Sequence, residues 1–478
     1  MKLYSENEQY KLYQGNMLEM LEVIESNTVD SIVCDPPYEL NFMNKGWDNS
    51  GIAFQKETWQ KCYEVLKPGG YLLAFGGSRT FHRIACAIED AGFEIRDTIC
   101  YMYGSGFPKS MSLSKGLEAR EKLGNAGTRN KRKIEQACDT EEYTLKQTNN
   151  GAMGEIIETT RKEYIPNTDL AKQWQGWGTA LKPSFEPIIV ARKPFKGSLV
   201  DNVIKYGVGG INIDECRVGN EELHNSYAGN KNSGFTSADE RDEKGKGMFA
   251  GNKQGETVVN GRFPANTILT YDETDFEEVC GGFPNTKGNG NVRHNNNDGK
   301  EYNCYSNYGN CETKGYDDSG SASRYFYCAK ASKKDRDEGL EEFAEKNGVD
   351  ITGRKENSNG LIWDGGKYAY GNAFAGAGSP KKNTHPTVKP TTLMQYLIRL
   401  VSPNGATILD PFNGSGSTGK AVMYENKERN KNYKYIGIEL TEEYLPISKA
   451  RIEYVCNLTK EELKEKQLSI FDLGDNNE

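Results

Sequence analysis

The sequence predicts an α/β fold built on a doubly wound, mostly parallel sheet. Three observations predict it. Short apolar runs alternate with amphipathic runs through the first hundred residues. The apolar runs are nearly continuous, as strands covered on both faces are. The same rhythm returns after residue 320.

Residues 10–15 and 29–34 read as strands, with a helix over 16–26 between them. Residues 54–70 read as a helix stopped by Pro68 and Gly69. A strand at 71–77, a helix at 78–92 and a strand at 93–103 follow. Residues 116–175 are a polar, charged insertion, basic at its start, without a clear core, and 182–194 give another strand between prolines. The rhythm resumes with a strand at 323–330 and a helix entered through Pro390 and Thr391. A strand, glycine loop and helix occupy 406–427, a strand 433–440 and a helix 441–455.

These elements define one sheet in two halves, 1–195 and 321–456, around an inserted region at 196–320 and before a flexible tail at 457–478. Nine Asn and four Gly fall within residues 285–310, so that stretch buries little apolar surface and is expected to be mobile. The 11 Cys include no Cys-x-x-Cys pair and only four His are present, so no disulfide framework and no metal are expected. No long apolar run or signal core occurs, which points to a cytoplasmic protein without a membrane span. The net charge of −8 excludes a uniformly basic nucleic-acid binder. A local basic face remains: residues 105–133 carry eight Lys or Arg against two Glu. Lys109, Arg129, Lys131, Arg132 and Lys133 are its candidates for contacting phosphates.

The loop "DPFNGSGSTGKA" nearly spells a phosphate loop, but Ala421 stands where a magnesium-binding hydroxyl belongs. The other reading is a nucleoside pocket. A glycine turn opening a helix favours a carboxylate, and Glu439, 29 residues after Asp410, ends the next strand where an acid accepts ribose hydroxyls. A ligand with a carboxylate, a ribose and no phosphate is S-adenosylmethionine.

Asp35-Pro36-Pro37-Tyr38 leave the strand 29–34 at the end that lines the crevice of a parallel sheet. Asp35 and a proline carbonyl offer two acceptors to an amino group, and Tyr38 offers a stacking face. Hydrogen bonds to both N–H groups localise the lone pair of a conjugated amine, which then attacks a methyl sulfonium. A base in a duplex must first be flipped out.

With these motifs the chain resembles the amino-group DNA methyltransferases, which act on adenine N6 or cytosine N4 of double-stranded DNA. The corner at 35–38 matches the family's D-P-P-Y, and "DPFNGSGSTG" its cofactor loop, with Ser417 where Thr is usual. The resemblance implies a Rossmann-like methyltransferase fold and assigns Asp410, Phe412, Gly414, Ser415, Gly416 and Glu439 to the cofactor. It adds Asn16, in a position where Asp is common, and Lys389, Pro390 and Thr391 near the methionine end. The catalytic corner precedes the cofactor loop, the circularly permuted order of the beta class, so 196–320 is expected to recognise the target. The longer pattern "DPPYELNFMNKGWD" resembles a phage or prophage branch. Adenine is the expected base because the cytosine-N4 enzymes more often carry Ser in place of this Asp. Gln467–Phe471 resemble the peptide that docks on the bacterial sliding clamp, the alternative being a small amphipathic end packed on its own domain.

Overall fold

The computed structural model describes residues 2–40, 46–103, 110–124, 131–148, 156–225, 257–271, 283–287, 293–294, 312–313, 319–330, 333–346 and 381–471. The chain divides into two compact units. One comprises Met1–Gly104, Phe185–Glu345 and Lys381–Glu478, and the other Ser105–Ser184 and Lys346–Pro380.

A ten-stranded sheet organises the first unit. Its strands are β1 (Lys2–Glu6), β2 (Tyr10–Gln14), β3 (Val29–Cys34), β4 (Leu66–Phe75), β5 (Glu94–Tyr103), β6 (Phe185–Arg192), β7 (Thr267–Tyr271), β8 (Tyr327–Lys330), β9 (Thr407–Asp410) and β10 (Lys434–Glu439). They lie in the order β1-β2-β10-β9-β3-β4-β6-β5-β7-β8. β1 and β6 are antiparallel to their neighbours, and every other pairing is parallel.

The helices are α1 (Met17–Leu21), α2 (Lys56–Val65), α3 (Phe81–Asp90), α4 (Leu113–Leu123), α5 (Lys131–Ala137), α6 (Asp169–Gln173), α7 (Leu199–Tyr206), α8 (Lys333–Asp337), α9 (Thr391–Val401), α10 (Ser417–Arg429), α11 (Leu445–Asn457) and α12 (Lys460–Phe471). Alternation along the strands sends side chains to both faces of the sheet. On β4, Tyr71, Leu73 and Phe75 join Leu397 of α9, Val422 of α10 and Ile452 of α11. Leu72 and Ala74 join Met20 of α1, Trp59 of α2 and Ile84 of α3 on the other face. Burial of a side chain such as Leu72 or Leu73 is worth roughly 1.5–3 kcal/mol, so both faces hold the central strands in place.

Several expectations are corrected. The helix at 54–70 ends at Val65, and Pro68 and Gly69, expected to stop it, begin β4. The Asn202 amide of α7 holds that start by donating to Pro68 O at 3.0 Å and Val208 O at 2.8 Å. The first helix covers only Met17–Leu21, and Asn27, with φ of 59°, turns the chain into β3. Of the inserted region 196–320, α7 packs on β4 and β7 lies between β5 and β8. The second unit contains the charged stretch 116–175, where Ala119, Ile134 and Cys138 form a small core beside the hairpin Thr140–Thr148 and Ile156–Tyr164. The tail expected to be flexible carries α12, in which Gln467–Phe471 form the last turns. Most of the Asn/Gly-rich stretch 285–310 lies outside the described residues.

Candidate active site

β3 and β9 are neighbours, paired through Ser31 with Ile408 and Ile32 with Leu409. At their starting ends Asp30 accepts from Thr407 N at 2.8 Å and pairs with Lys67. That tie sets the register at the opposite ends, where Asp35 follows β3, Asp410 ends β9 and Glu439 ends β10. The proline corner and the glycine loop therefore share one rim of the sheet, where chain connections diverge and α/β folds bind ligands.

In the corner, Lys389 Nζ lies 2.9 Å from Asp35 Oδ2, 3.1 Å from Glu186 Oε2 and 3.1 Å from the Tyr38 hydroxyl. The Tyr38 hydroxyl donates to Glu186 Oε2 at 2.8 Å, and Thr80 Oγ1 donates to the Tyr38 carbonyl at 2.9 Å. The ammonium also sits 4.7 Å from the ring centre of Phe75 and 5.3 Å from that of Tyr38, close enough for cation–π attraction. Burial alone lowers the Lys389 pKa, but Asp35 and Glu186 outweigh it and hold the group above the usual lysine range. Asp35 Oδ1 is buried and has no hydrogen-bond partner among the described residues. Past the corner, Glu39 has φ of 55°, Asp48 accepts from its N–H at 2.9 Å, and its carboxylate accepts from Gly51 N at 2.8 Å.

In the loop, Asp410 accepts from Phe412 N at 3.0 Å and from Thr418 Oγ1 at 2.6 Å. Burial pushes the Asp410 carboxyl up to about 7, with Asp35 and Glu439 adding like charge. Glu439 accepts from Gly414 N and Thr441 N, both at 2.7 Å, and burial raises its pKa too. Gly414 and Gly416 have φ of 52° and 75°, a left-handed conformation that favours glycine. A Cβ on Gly414 would meet the His385 ring at 3.0 Å, and one on Gly416 would meet Ser448 Oγ at 2.5 Å. The phosphate-loop reading fails at Lys420. This side chain is fully buried, 2.7 Å from Asp335 and 2.8 Å from Glu338 of the chain around α8.

A family model described as DNA methylase, of the N6/N4 type, matches residues 29–450. The chain belongs to the N6/N4 DNA methylase family. The type II methyltransferase M.HindIII of Haemophilus influenzae is 22% identical to this methylase over 245 residues, 42% of this chain and 64% of that protein. M2.LlaDCHI of Lactococcus lactis subsp. cremoris is 25% identical over 232 residues, 44% of this chain and 82% of that protein. The DNA adenine methyltransferase YhdJ of Escherichia coli is 35% identical over 79 residues, 16% of this chain and 25% of that protein. The match thus spans less than two thirds of M.HindIII and a quarter of YhdJ.

S-adenosylmethionine is the methyl donor of this family. The residues present suit it. Asp410 and Glu439 are buried acceptors with lone pairs left for hydroxyls. With Asp35 and Glu186 they give the rim an excess of carboxylate over the Lys389 ammonium, which favours a sulfonium cation over a phosphate.

The other assigned residues of the methylase are placed less directly. Asn16 caps α1 by accepting from Leu18 N at 3.0 Å. Lys389 stands in the proline corner, with its three N–H groups directed to Asp35, Glu186 and Tyr38. Pro390 caps α9. Thr391 donates its N–H and hydroxyl to Asp335 at 2.8 and 2.5 Å. Ser415 accepts from Arg451 at 3.1 Å, behind the loop. Phe412 packs at 6.2 Å from Trp59. Lys109 and Arg129 lie outside the described residues, and Lys131, Arg132 and Lys133 form the first turn of α5. Sequence reading missed Glu186, Asp335 and Arg451. Glu186 carried one signal, being the sole acid of the apolar strand β6. Among the described residues no helix is long and apolar enough to cross a membrane, and none of the His, Cys, Asp and Glu form a metal-binding cluster.

Proposed function

We propose that this methylase transfers a methyl group from S-adenosylmethionine to the exocyclic amino group of a base swung out of double-stranded DNA, with adenine N6 as the acceptor. The observation that carries this reading is Asp35 Oδ1, a buried acceptor without a partner among the described residues, on the rim that also holds Asp410 and Glu439. When bound, the donor supplies an electrophilic methyl group on sulfur. Asp410 and Glu439 hold its hydroxyls. Asp35 Oδ1 accepts an N–H of the base, localising the nitrogen lone pair, and the proton leaves after transfer. The Lys389 donors are all engaged, so the corner meets the base with acceptors and selects an amino edge over a keto edge. Tyr38, pinned through its hydroxyl, offers its ring for stacking.

The acid at position 35 and the name of the relative YhdJ both favour adenine over cytosine. Lys109, Arg129, Lys131, Arg132 and Lys133 are assigned to phosphate contacts, and residues 196–320 to sequence recognition. A clamp contact through Gln467–Phe471 is a separable part of the reading. Clamp binding by a Leu468→Ala, Phe471→Ala variant equal to that of the parent removes it. Long-read sequencing of DNA from cells expressing the chain tests the central claim. N6-methyladenine at a defined sequence is expected with the parent and not with Asp35→Ala. An unmodified genome with the parent, or equal modification with Asp35→Ala, overturns it.

A further inference from the structure

We infer that Lys389 and Glu186 form a positioning pair that keeps Asp35 a hydrogen-bond acceptor, with Lys389 as the spacer between two carboxylates. This rests on the amino-transfer reading of the corner. The three N–H groups of Lys389 are directed to Asp35 Oδ2, Glu186 Oε2 and the Tyr38 hydroxyl at 2.9–3.1 Å. Asp35 Oδ2 is thereby tied down, and Oδ1 is the oxygen left to face a base.

The need for a spacer follows from charge. Asp35 and Glu186 each lie about 3 Å from the same nitrogen, in a site closed by Phe75 and Tyr38. Two carboxylates brought together without a cation do not both ionise near neutrality; they share a proton. A protonated Asp35 presents an O–H donor where the base presents N–H donors, and the hydrogen bond reverses into a clash. The ammonium prevents this. Glu186 balances Lys389 in turn and holds the Tyr38 hydroxyl. The other titratable groups facing the pair do not substitute for it. Burial raises the pKa of Tyr101 and Tyr103, and lowers that of His385 to about 4. Cys34 is fully buried with its thiol pushed upward. Burial pushes Asp410 up to about 7, with Asp35 adding like charge, so its titration follows the charge on Asp35 rather than replacing the pair.

The test is a charge-swap cycle with Lys389→Met, Glu186→Gln and the double variant, with Lys389→Arg as the charge-conserving control. With the parent active, kcat of Lys389→Met is expected to fall about 100-fold at pH 7 and to recover as pH rises. The affinity for S-adenosylhomocysteine should stay within about twofold of the parent, a bound far below the tenfold steps of catalytic loss. Adding Glu186→Gln to Lys389→Met removes the second carboxylate and is expected to restore kcat about tenfold. A merely structural pair gives a double variant no better than Lys389→Met, which overturns the inference. Parental kcat in Lys389→Met overturns it as well, and so does a weakened S-adenosylhomocysteine affinity with kcat unchanged. Thermal unfolding supplies a readout independent of methyl transfer. The stability deficit of Lys389→Met relative to the parent should widen as pH rises from about 5 to 8, because the folded pair holds a proton that the unfolded chain has lost. The double variant should lack that slope. A deficit independent of pH overturns the inference even if the DNA reading itself fails.

Discussion

Lys420 Nζ lies 2.7 Å from Asp335 Oδ1, with the lysine fully buried beneath the glycine loop. The same carboxylate accepts from Thr391 at the start of α9, and Arg451 donates to the Ser415 carbonyl at 2.9 Å and to Asp335 O at 3.4 Å. Removing one partner of a buried ion pair strands the other charge, at roughly 3–5 kcal/mol. Asp335→Ala is therefore expected to lose about 3 kcal/mol, since Glu338 remains near Lys420. Urea denaturation measures this, and a loss below about 1 kcal/mol, the worth of an exposed pair, argues that the network is dispensable.

The acceptor at position 35 makes a graded prediction. Asp35→Ala removes both oxygens and should lower kcat at least about 10²–10³-fold, the scale of one lost transition-state hydrogen bond. Asp35→Asn keeps one carbonyl oxygen and should fall between parent and alanine variant. Single-turnover methylation of a duplex measures both. Equal rates for the Asn and Ala variants would show that the acceptor oxygen is not what matters.

Asp410 predicts a pH dependence of stability. Its folded pKa of about 7 lies above the ordinary value of 3.8. Between these values the folded chain keeps a proton that the unfolded chain has released, so the contribution of Asp410 to stability falls as pH rises. It is level below about 4 and above about 7, where both states agree in protonation. Urea midpoints of the parent should decline relative to Asp410→Asn across that window, and parallel curves would refute the assignment.

Gly416→Ala combines a left-handed φ of 75° with a Cβ placed 2.5 Å from Ser448 Oγ, which is itself buried. The backbone term alone is about 1–2 kcal/mol. Chemical denaturation should register at least that, together with weaker S-adenosylhomocysteine binding. Gly405→Ala, at φ of 77° with open space around the added methyl group, is the control that carries strain without collision.

Much of the sheet was legible because its signals are local. Ile32, Val33 and Cys34 lie in an apolar run between turns, and both neighbouring faces are indeed buried. Asp35–Tyr38 and Asp410–Gly416 sit at strand exits that a parallel sheet gathers on one rim, and they met as expected. Glu186 was missed because a strand's direction leaves no mark on its sequence. Only the antiparallel pairing of β6 with β4 carries the beginning of β6 to that rim. The partners of Lys389 were hidden for a similar reason. Motif proximity put it with Pro390 and Thr391, yet these neighbours face different partners, Asp35 and Asp335. The Asn202 contact that converts Pro68 and Gly69 from a helix stop into a strand start spans 134 residues, beyond any local pattern.

The reversal of β6 has a topological consequence. Chain leaving β5 at Tyr103 and chain entering β6 at Phe185 do so at the same edge, since Met102 pairs directly with Phe185. The ladder from Met102–Phe185 to Glu94–Arg192 therefore keeps its register whatever length of chain joins its two ends.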